Sequence, residues 1–351
     1  MRPRIALITS GLGTRQGGIG VVAQLIASAL EKDSDLAVWR HHASWPRFAR
    51  IPAAVGRTLW GSLKTPDFVL YDHIDLAILH AIIPRLQPVP YAVFLHGIEV
   101  WKPLGGRRRE ALLGASLLLV NSATTETEAR VLNPWLPKVE VTWLGVKRPP
   151  ILADVGSNPP VALVVGRMVD SERLKGHDAV IDAWPLIKSA IPDAKLMFVG
   201  TGNDKDRLQN RVQAEHMAGV EFCGRIDDAQ RDQMYRSCRM LFYPSRQEGF
   251  GLAGVEAASF GVPLLGLAGT VTEELFPAGT GAVIAKDSAR ETIAEAAIPV
   301  LKSAQYATQL GQAALARVNA VFLEEHFAGR LRRALTPLLP AYAAVAASGN
   351  S

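Results

Sequence analysis

The chain has 351 residues, 48% of them hydrophobic and 20% charged, which suits two globular domains of ordinary size, each with a full core. Two cysteines are too few for a disulfide framework, the eight histidines show no metal-ligand spacing, no run nears the length of a membrane span, and no repeat of fixed period is present. The formal charge of +5 is uneven, because residues 1–150 hold 18 Lys and Arg against 11 Asp and Glu, while the remainder is slightly acidic. That basic excess suits an anionic membrane surface, a lipid-phosphate acceptor or simply a basic face. No nucleic-acid partner is expected. The opening Met1-Arg2-Pro3-Arg4 leads into only a short apolar run, so no signal peptide is expected, and the setting is expected to be cytoplasmic.

Residues 5–9, IALIT, read as a buried strand opening an α/β domain. A glycine loop, SGLGTRQGGIG, follows with Gly17 and Gly18 near its end, then an apolar helix from Val21 to Leu30. A dinucleotide fingerprint would need glycine where Gln16 stands, and the next strand, Leu36 to Trp39, ends in Arg40 rather than an acid. A plain strand-to-helix turn remains the alternative. Residues 45–64 set Arg47, Arg50 and Arg57 among Trp45, Phe48, Ile51, Val55, Leu59 and Trp60. This is read as a core-facing helix with solvated arginines, and alternatively as an amphipathic segment lying on a membrane. Pro46 and Pro52 work against one long helix. Strands are expected at 68–71, 91–95, 116–120 and 139–143, with Asp72-His73 closing the first and His96-Gly97-Ile98-Glu99 the second. A histidine at the C-terminal end of a parallel strand stands where such folds keep their ligands. Thr124 or Thr125 is the expected cap of the helix that follows the third.

Residues 149–160, rich in Pro, Gly, Ser and Asn, read as a linker between a first domain at 1–148 and a second at 161–325. The second domain opens with the strand 161–165. Arg167 follows it, and eight positions on comes Lys175, in a loop before a helix expected over 179–189. Two cations beside a helix N-terminus make a natural diphosphate clamp. The strands 195–199 and 220–222 both exit through glycine, towards Gly202 and Arg225, and Asp227 or Asp228 is placed to cap the next helix. The densest stretch is Pro244 to Pro263, PSRQEGFGLAGVEAASFGVP. An apolar run, Met240 to Tyr243, precedes it as a buried strand, and a helix is expected from about Phe250 to Phe260, ended by Gly261 and Pro263. Glu248 and Glu256 stand eight positions apart across that strand–loop–helix turn, with Gly249, Phe250 and Gly251 between them. As isolated residues they would be a first-turn acid and a solvated helix position. The strand and the glycines together point instead to a turn that binds phosphate or sugar.

EGFGLAGVE resembles the Glu, seven residues, Glu motif of retaining GT-B glycosyltransferases of the glycosyl transferases group 1 type, the family-four kind. The loop at Gly17-Gly18, HGIEVW from His96, and Arg167 with Lys175-Gly176 resemble the matching patches of the same family. The chain departs from that pattern at Leu144, in the longer segment between Arg167 and Lys175, and at Ala268. The resemblance implies a GT-B fold, two doubly wound Rossmann-like domains facing across a cleft, with a helix over 326–342 crossing back to the first. It implies that Glu248 and His96 meet the donor sugar, that Glu256 meets the ribose, and that Arg167 and Lys175 stabilise the leaving diphosphate. It places Gly17, Gly18, Gly202, Arg225, Gly249, Phe250 and Gly251 around the donor.

The implied reaction moves a hexose from a GDP- or UDP-sugar, without metal or other cofactor, to a growing glycan or polyprenyl-diphosphate-linked acceptor in surface polysaccharide synthesis. Two rivals share the fold: a nucleotide-sugar 2-epimerase, which needs further acids around the sugar, and a nucleotide-sugar binding protein without catalysis.

Overall fold

The computed structural model describes residues 2–13, 17–40 and 65–339. Gln16, the pair His41-His42, the segment 45–64 with its tryptophans and arginines, and the last part of the expected 326–342 helix lie outside them. The chain divides into two compact units, Met1–Gly145 with Glu324–Ser351, and Val146–Leu323.

In the first unit, β1 (Arg4–Thr9), β2 (Asp35–Arg40), β3 (Phe68–Tyr71), β4 (Tyr91–Leu95), β5 (Leu117–Val120) and β6 (Val139–Val141) form one parallel sheet in the order β2-β1-β3-β4-β5-β6. Helices α1 (Gly17–Glu31), α2 (Ile74–Ile82), α3 (Gly106–Leu113) and α4 (Ala123–Leu132) make the crossovers among the described residues. The unbroken apolar runs of β3 and β4 are buried at every position, as strands covered on both faces must be. After Phe322 the chain returns to this unit. Helix α12 (Glu324–Leu335) buries Phe327, Leu331 and Leu335 and lies against α1, where the Arg332 guanidinium grips the Asp33 carboxylate at 2.8 Å through Nε.

The second unit repeats the plan. Strands β7 (Val161–Val165), β8 (Lys195–Val199), β9 (Val220–Gly224), β10 (Met240–Phe242), β11 (Leu264–Leu267) and β12 (Ala282–Ala285) stand in the order β12-β11-β10-β7-β8-β9, all parallel. Its helices are α5 (His177–Ala190), α6 (Lys205–Ala214), α7 (Asp228–Ser237), α8 (Leu252–Ser259), α9 (Val271–Leu275), α10 (Arg290–Lys302) and α11 (Ala304–Val321). Trp184, Phe198, Phe242 and Phe276 fill the core. Residues 146–160 belong to this unit, with the Ala153 N–H bonded to the Phe260 carbonyl at 2.8 Å and the Asn158 amide to the carbonyls of Arg236 and Cys238, both at 2.7 Å. The two points where the chain changes unit run side by side, since Val146 and Leu323 form a parallel bridge.

Four local details differ from the sequence expectation. Ser122, not Thr124 or Thr125, caps α4, because its extended backbone turns its hydroxyl onto the Thr125 N–H. The segment before Lys175 is a 3-10 turn, Asp170–Lys175, rather than open loop. Helix α8 starts at Leu252, two residues after Phe250, because Gly251 is left-handed. Strand β6 ends at Val141, short of Trp143. Asp227 caps α7 in a full capping box with Gln230.

Candidate active site

In an open parallel sheet, ligands bind at the carboxyl ends of the strands where the strand order reverses. In the second unit that point lies between β7 and β10. Arg167 leaves the end of β7, and the loop Pro244–Glu248 leaves the end of β10. The two loops are stitched together: the Arg246 N–H donates to the Leu174 carbonyl at 2.8 Å. Gly176, with φ +86°, passes so near Pro244 that a Cβ there would sit 2.4 Å from the Pro244 carbonyl oxygen, so only glycine fits.

This stitching brings Lys175 and Glu248, 73 positions apart, to a Nζ–Oε2 distance of 3.0 Å. The Tyr243 hydroxyl also bonds the Glu248 carboxylate, and burial with that neighbouring charge pushes the phenol well above its usual range. Arg167, largely exposed, reaches Glu172 at 2.5 Å. Next to Lys175, His177 opens α5 and is buried, and burial holds its imidazole down to about 4, so it is neutral near pH 7.

Gly251 precedes α8 with φ +81°, and a Cβ there would meet the Tyr243 ring at 2.9 Å. The first N–H groups of α8 therefore point out of the helix beside the Glu248 loop. The Phe250 ring is buried against Phe322, centroids 6.0 Å apart, so what Phe250 can offer a ligand is its backbone. Glu256 lies on α8. Its Oε2 accepts from the Tyr235 hydroxyl at 3.3 Å and stands 3.7 Å from Arg231 Nε. Burial raises its pKa and Arg231 opposes that rise. Gly202 and Arg225 lie exposed in the exits of β8 and β9. Glu273 folds back onto the Gly269 N–H at 2.7 Å.

In the first unit the reversal lies between β1 and β3. Gly17 and Gly18 open α1 there. His96 ends β4 and is held three ways. Its N–H donates to the Glu99 carboxylate, its carbonyl accepts from Asn121 Nδ2 at 2.9 Å, and its Nε2 lies 2.5 Å from the Asp72 carbonyl. A carbonyl only accepts, so Nε2 carries the proton and Nδ1 is left as acceptor. Burial lowers its pKa, with Glu99 opposing, and the ring is neutral near pH 7.

Sequence reasoning assigned no role to Asp72, Thr9, Glu172, Tyr235 or Arg231. Asp72 is fully buried at the reversal, accepts from the Thr9 hydroxyl at 2.5 Å, and has its second oxygen, Oδ1, unpartnered. Burial pushes it up to about 7 against the hydrogen bonds of Thr9 and Ser10. The signal available was position, a strand-end acid facing a strand-end hydroxyl across neighbouring strands.

Known proteins share the fold. Residues 153–317 match the family described as Glycosyl transferases group 1. A 169-residue span is 30% identical to a GDP-mannose-dependent monoacylated alpha-(1-6)-phosphatidylinositol monomannoside mannosyltransferase of Corynebacterium glutamicum, covering 46% of this chain and 44% of that protein. Another span is 28% identical to the glycogen synthase of Mycobacterium tuberculosis, covering 49% of this chain and 40% of that protein. The chain thus spans less than half the length of these curated relatives. Among solved structures, Anabaena HepE with UDP and glucose superposes with a TM-score of 0.74 at 17% identity, over 96% of this chain and all of that one. The sucrose-phosphate synthase of Thermosynechococcus elongatus gives 0.78 at 18%, over 97% of this chain and all of that one. With two doubly wound parallel units the chain has the GT-B fold, and its residues 153–317 carry a match to the glycosyl transferases group 1 family.

Proposed function

We propose that the chain is a retaining, metal-independent hexosyltransferase that takes mannose or glucose from a GDP- or UDP-sugar. The observation carrying this reading is the cluster at the second unit's strand reversal: two cations, Arg167 and Lys175, and the carboxylate Glu248, beside the N-terminus of α8. A departing nucleoside diphosphate gains negative charge as the glycosidic bond breaks. Arg167, Lys175 and the outward N–H groups of α8 are fixed donors for that charge and do the work a metal does elsewhere. Glu248, held by Lys175 and Tyr243, is an acceptor for sugar hydroxyls, and Glu256, on α8, is the acceptor for the ribose. No carboxylate is assigned as a base. The leaving phosphate takes the acceptor hydroxyl proton on the same face, which keeps the anomeric configuration. The names of the similar proteins, mannosyltransferase and glycogen synthase, favour a mannosyl or glucosyl donor. The charge excess of residues 1–150 favours an acceptor at a membrane, such as a polyprenyl-diphosphate-linked glycan, in surface polysaccharide assembly.

Calorimetry with UDP, GDP and their sugars tests the assignment. Glu256→Ala is expected to weaken the nucleoside diphosphate and the full donor alike, while Glu248→Ala spares the nucleoside diphosphate and damages only the sugar's contribution. The reverse pattern overturns the division of roles. A product with inverted anomeric configuration, or transfer abolished by chelator and restored by metal, overturns the mechanism.

A further inference from the structure

Between the two cations stands a carboxylate for which sugar transfer has no evident use. Glu172 Oε1 pairs with Arg167 Nη2 at 2.5 Å, and its Oε2 lies 3.7 Å from Lys175 Nζ. The partners are unequally held. The Arg167 side chain is 67% exposed, whereas that of Glu172 is 13% exposed.

The backbone fixes the carboxylate in place. Glu172 sits at a kink in the 3-10 turn, with φ −123° and ψ 28°, and its N–H bonds the Val169 carbonyl at 2.9 Å. Either side of it the turn is pinned to the loop after β8. The Asp170 N–H donates to Asn203 Oδ1 at 3.0 Å, and Arg173 pairs with Asp204 at 2.9 Å. Burial without full satisfaction is the second clue. Glu172 Oε2 is shut off from solvent and accepts no hydrogen bond, a costly state for a carboxylate oxygen. Arg167 spends one nitrogen of its donor fork on Glu172, although the fork is shaped to hold two anionic oxygens.

We infer that Glu172 is a built-in competitor for the diphosphate: it occupies the Arg167–Lys175 clamp until phosphate oxygens displace it, and so limits how tightly the nucleoside diphosphate product is held. The inference rests on the clamp reading above and adds to it. Glu172 acts through the two cations and is a positioning residue. Entry of the donor exchanges a carboxylate for a diphosphate on the same donors, and departure of the product is assisted by the carboxylate's return. Strong charge stabilisation in the transition state is then compatible with release of a highly charged product.

The test is calorimetry on the full chain with inorganic pyrophosphate, UDP, GDP, uridine and guanosine. Glu172→Gln keeps the shape and removes the charge. It is expected to bind pyrophosphate, and whichever diphosphate the wild type prefers, about two- to fivefold tighter, the range for one partly exposed ion pair. Binding of the uncharged nucleosides should not move, whereas a merely structural role would weaken them too. Glu172→Asp, which restores the charge, should return most of the way to wild type. The gain should vanish in the Arg167→Ala background. Unchanged or weaker pyrophosphate binding by both Glu172→Gln and Glu172→Ala, with Arg167→Ala still impaired, overturns the inference and leaves the clamp standing. If Arg167→Ala and Lys175→Ala bind pyrophosphate as the wild type does, the clamp itself is wrong and the inference falls with it.

Discussion

Asp72 shows what a single buried side chain can impose. Its carboxyl takes hydrogen bonds from the Thr9 hydroxyl and the Ser10 N–H, its Oδ1 has no partner, and burial raises it to about 7. The unfolded chain loses that proton near the ordinary carboxylate value of 3.8. Between those two values the folded unit binds the extra proton, so its stability falls as pH rises from about 4 through 7. The contribution is fully present below 3.8 and lost above 7. Asp72→Asn, which keeps the shape without the charge, is expected to flatten the stability profile of the first unit and to stabilise it at pH 8 by roughly 2–4 kcal/mol. Unfolding followed from pH 5 to 8.5 measures this, and a variant whose profile still falls with pH contradicts it.

At the scale of elements, the turn from β10 into α8 depends on Gly251. Any other residue would have to hold φ near +81° and press its Cβ onto the Tyr243 ring at 2.9 Å. Gly251→Ala is expected to cost about 1–3 kcal/mol in the second unit and to lower nucleoside diphosphate affinity, because α8's first N–H groups and Glu248 both move with that turn. Denaturant unfolding combined with UDP and GDP titration checks both effects. The same turn shows what the sequence makes legible. The strands at 91–95, 161–165 and 195–199 were readable to the residue because continuous apolar runs end abruptly at polar or glycine exits. The helix start at Leu252 was not, since a left-handed glycine leaves no trace in hydrophobic periodicity. Glu172 was equally hidden. An acid in a polar loop carries no pattern until the loop's fold sets it between two cations. Ser122 was hidden by its neighbours, because three hydroxyl residues in four positions all had cap chemistry and only backbone geometry chose among them.

At the scale of the whole molecule, the first unit is made from two separated pieces of chain. Leu331 of α12 is fully buried in a unit whose sheet was laid down by residues before 145. Leu331→Ala is expected to cost about 2–5 kcal/mol. The loss should appear only in the first unit, although the second unit ends just eight positions earlier. Hydrogen exchange resolves this: amides of β1 and α1 should lose protection while those of β7 and β8 keep theirs. Equal loss in both units would contradict the division. Binding to anionic against neutral vesicles belongs to this scale too, since the charge excess is a property of the first 150 residues as a set.

The returning helix also sets an order on the making of the protein. Residues 146–323 form a continuous stretch and can close as soon as they leave the ribosome, while the first unit, begun earlier, must wait for Glu324–Leu335 to be synthesised. At ordinary rates of translation that wait is on the order of ten to thirty seconds. Throughout it the surface of α1 that α12 covers has no partner from its own chain, so the half made first is the half finished last, and newborn chains should lean on chaperones at α1.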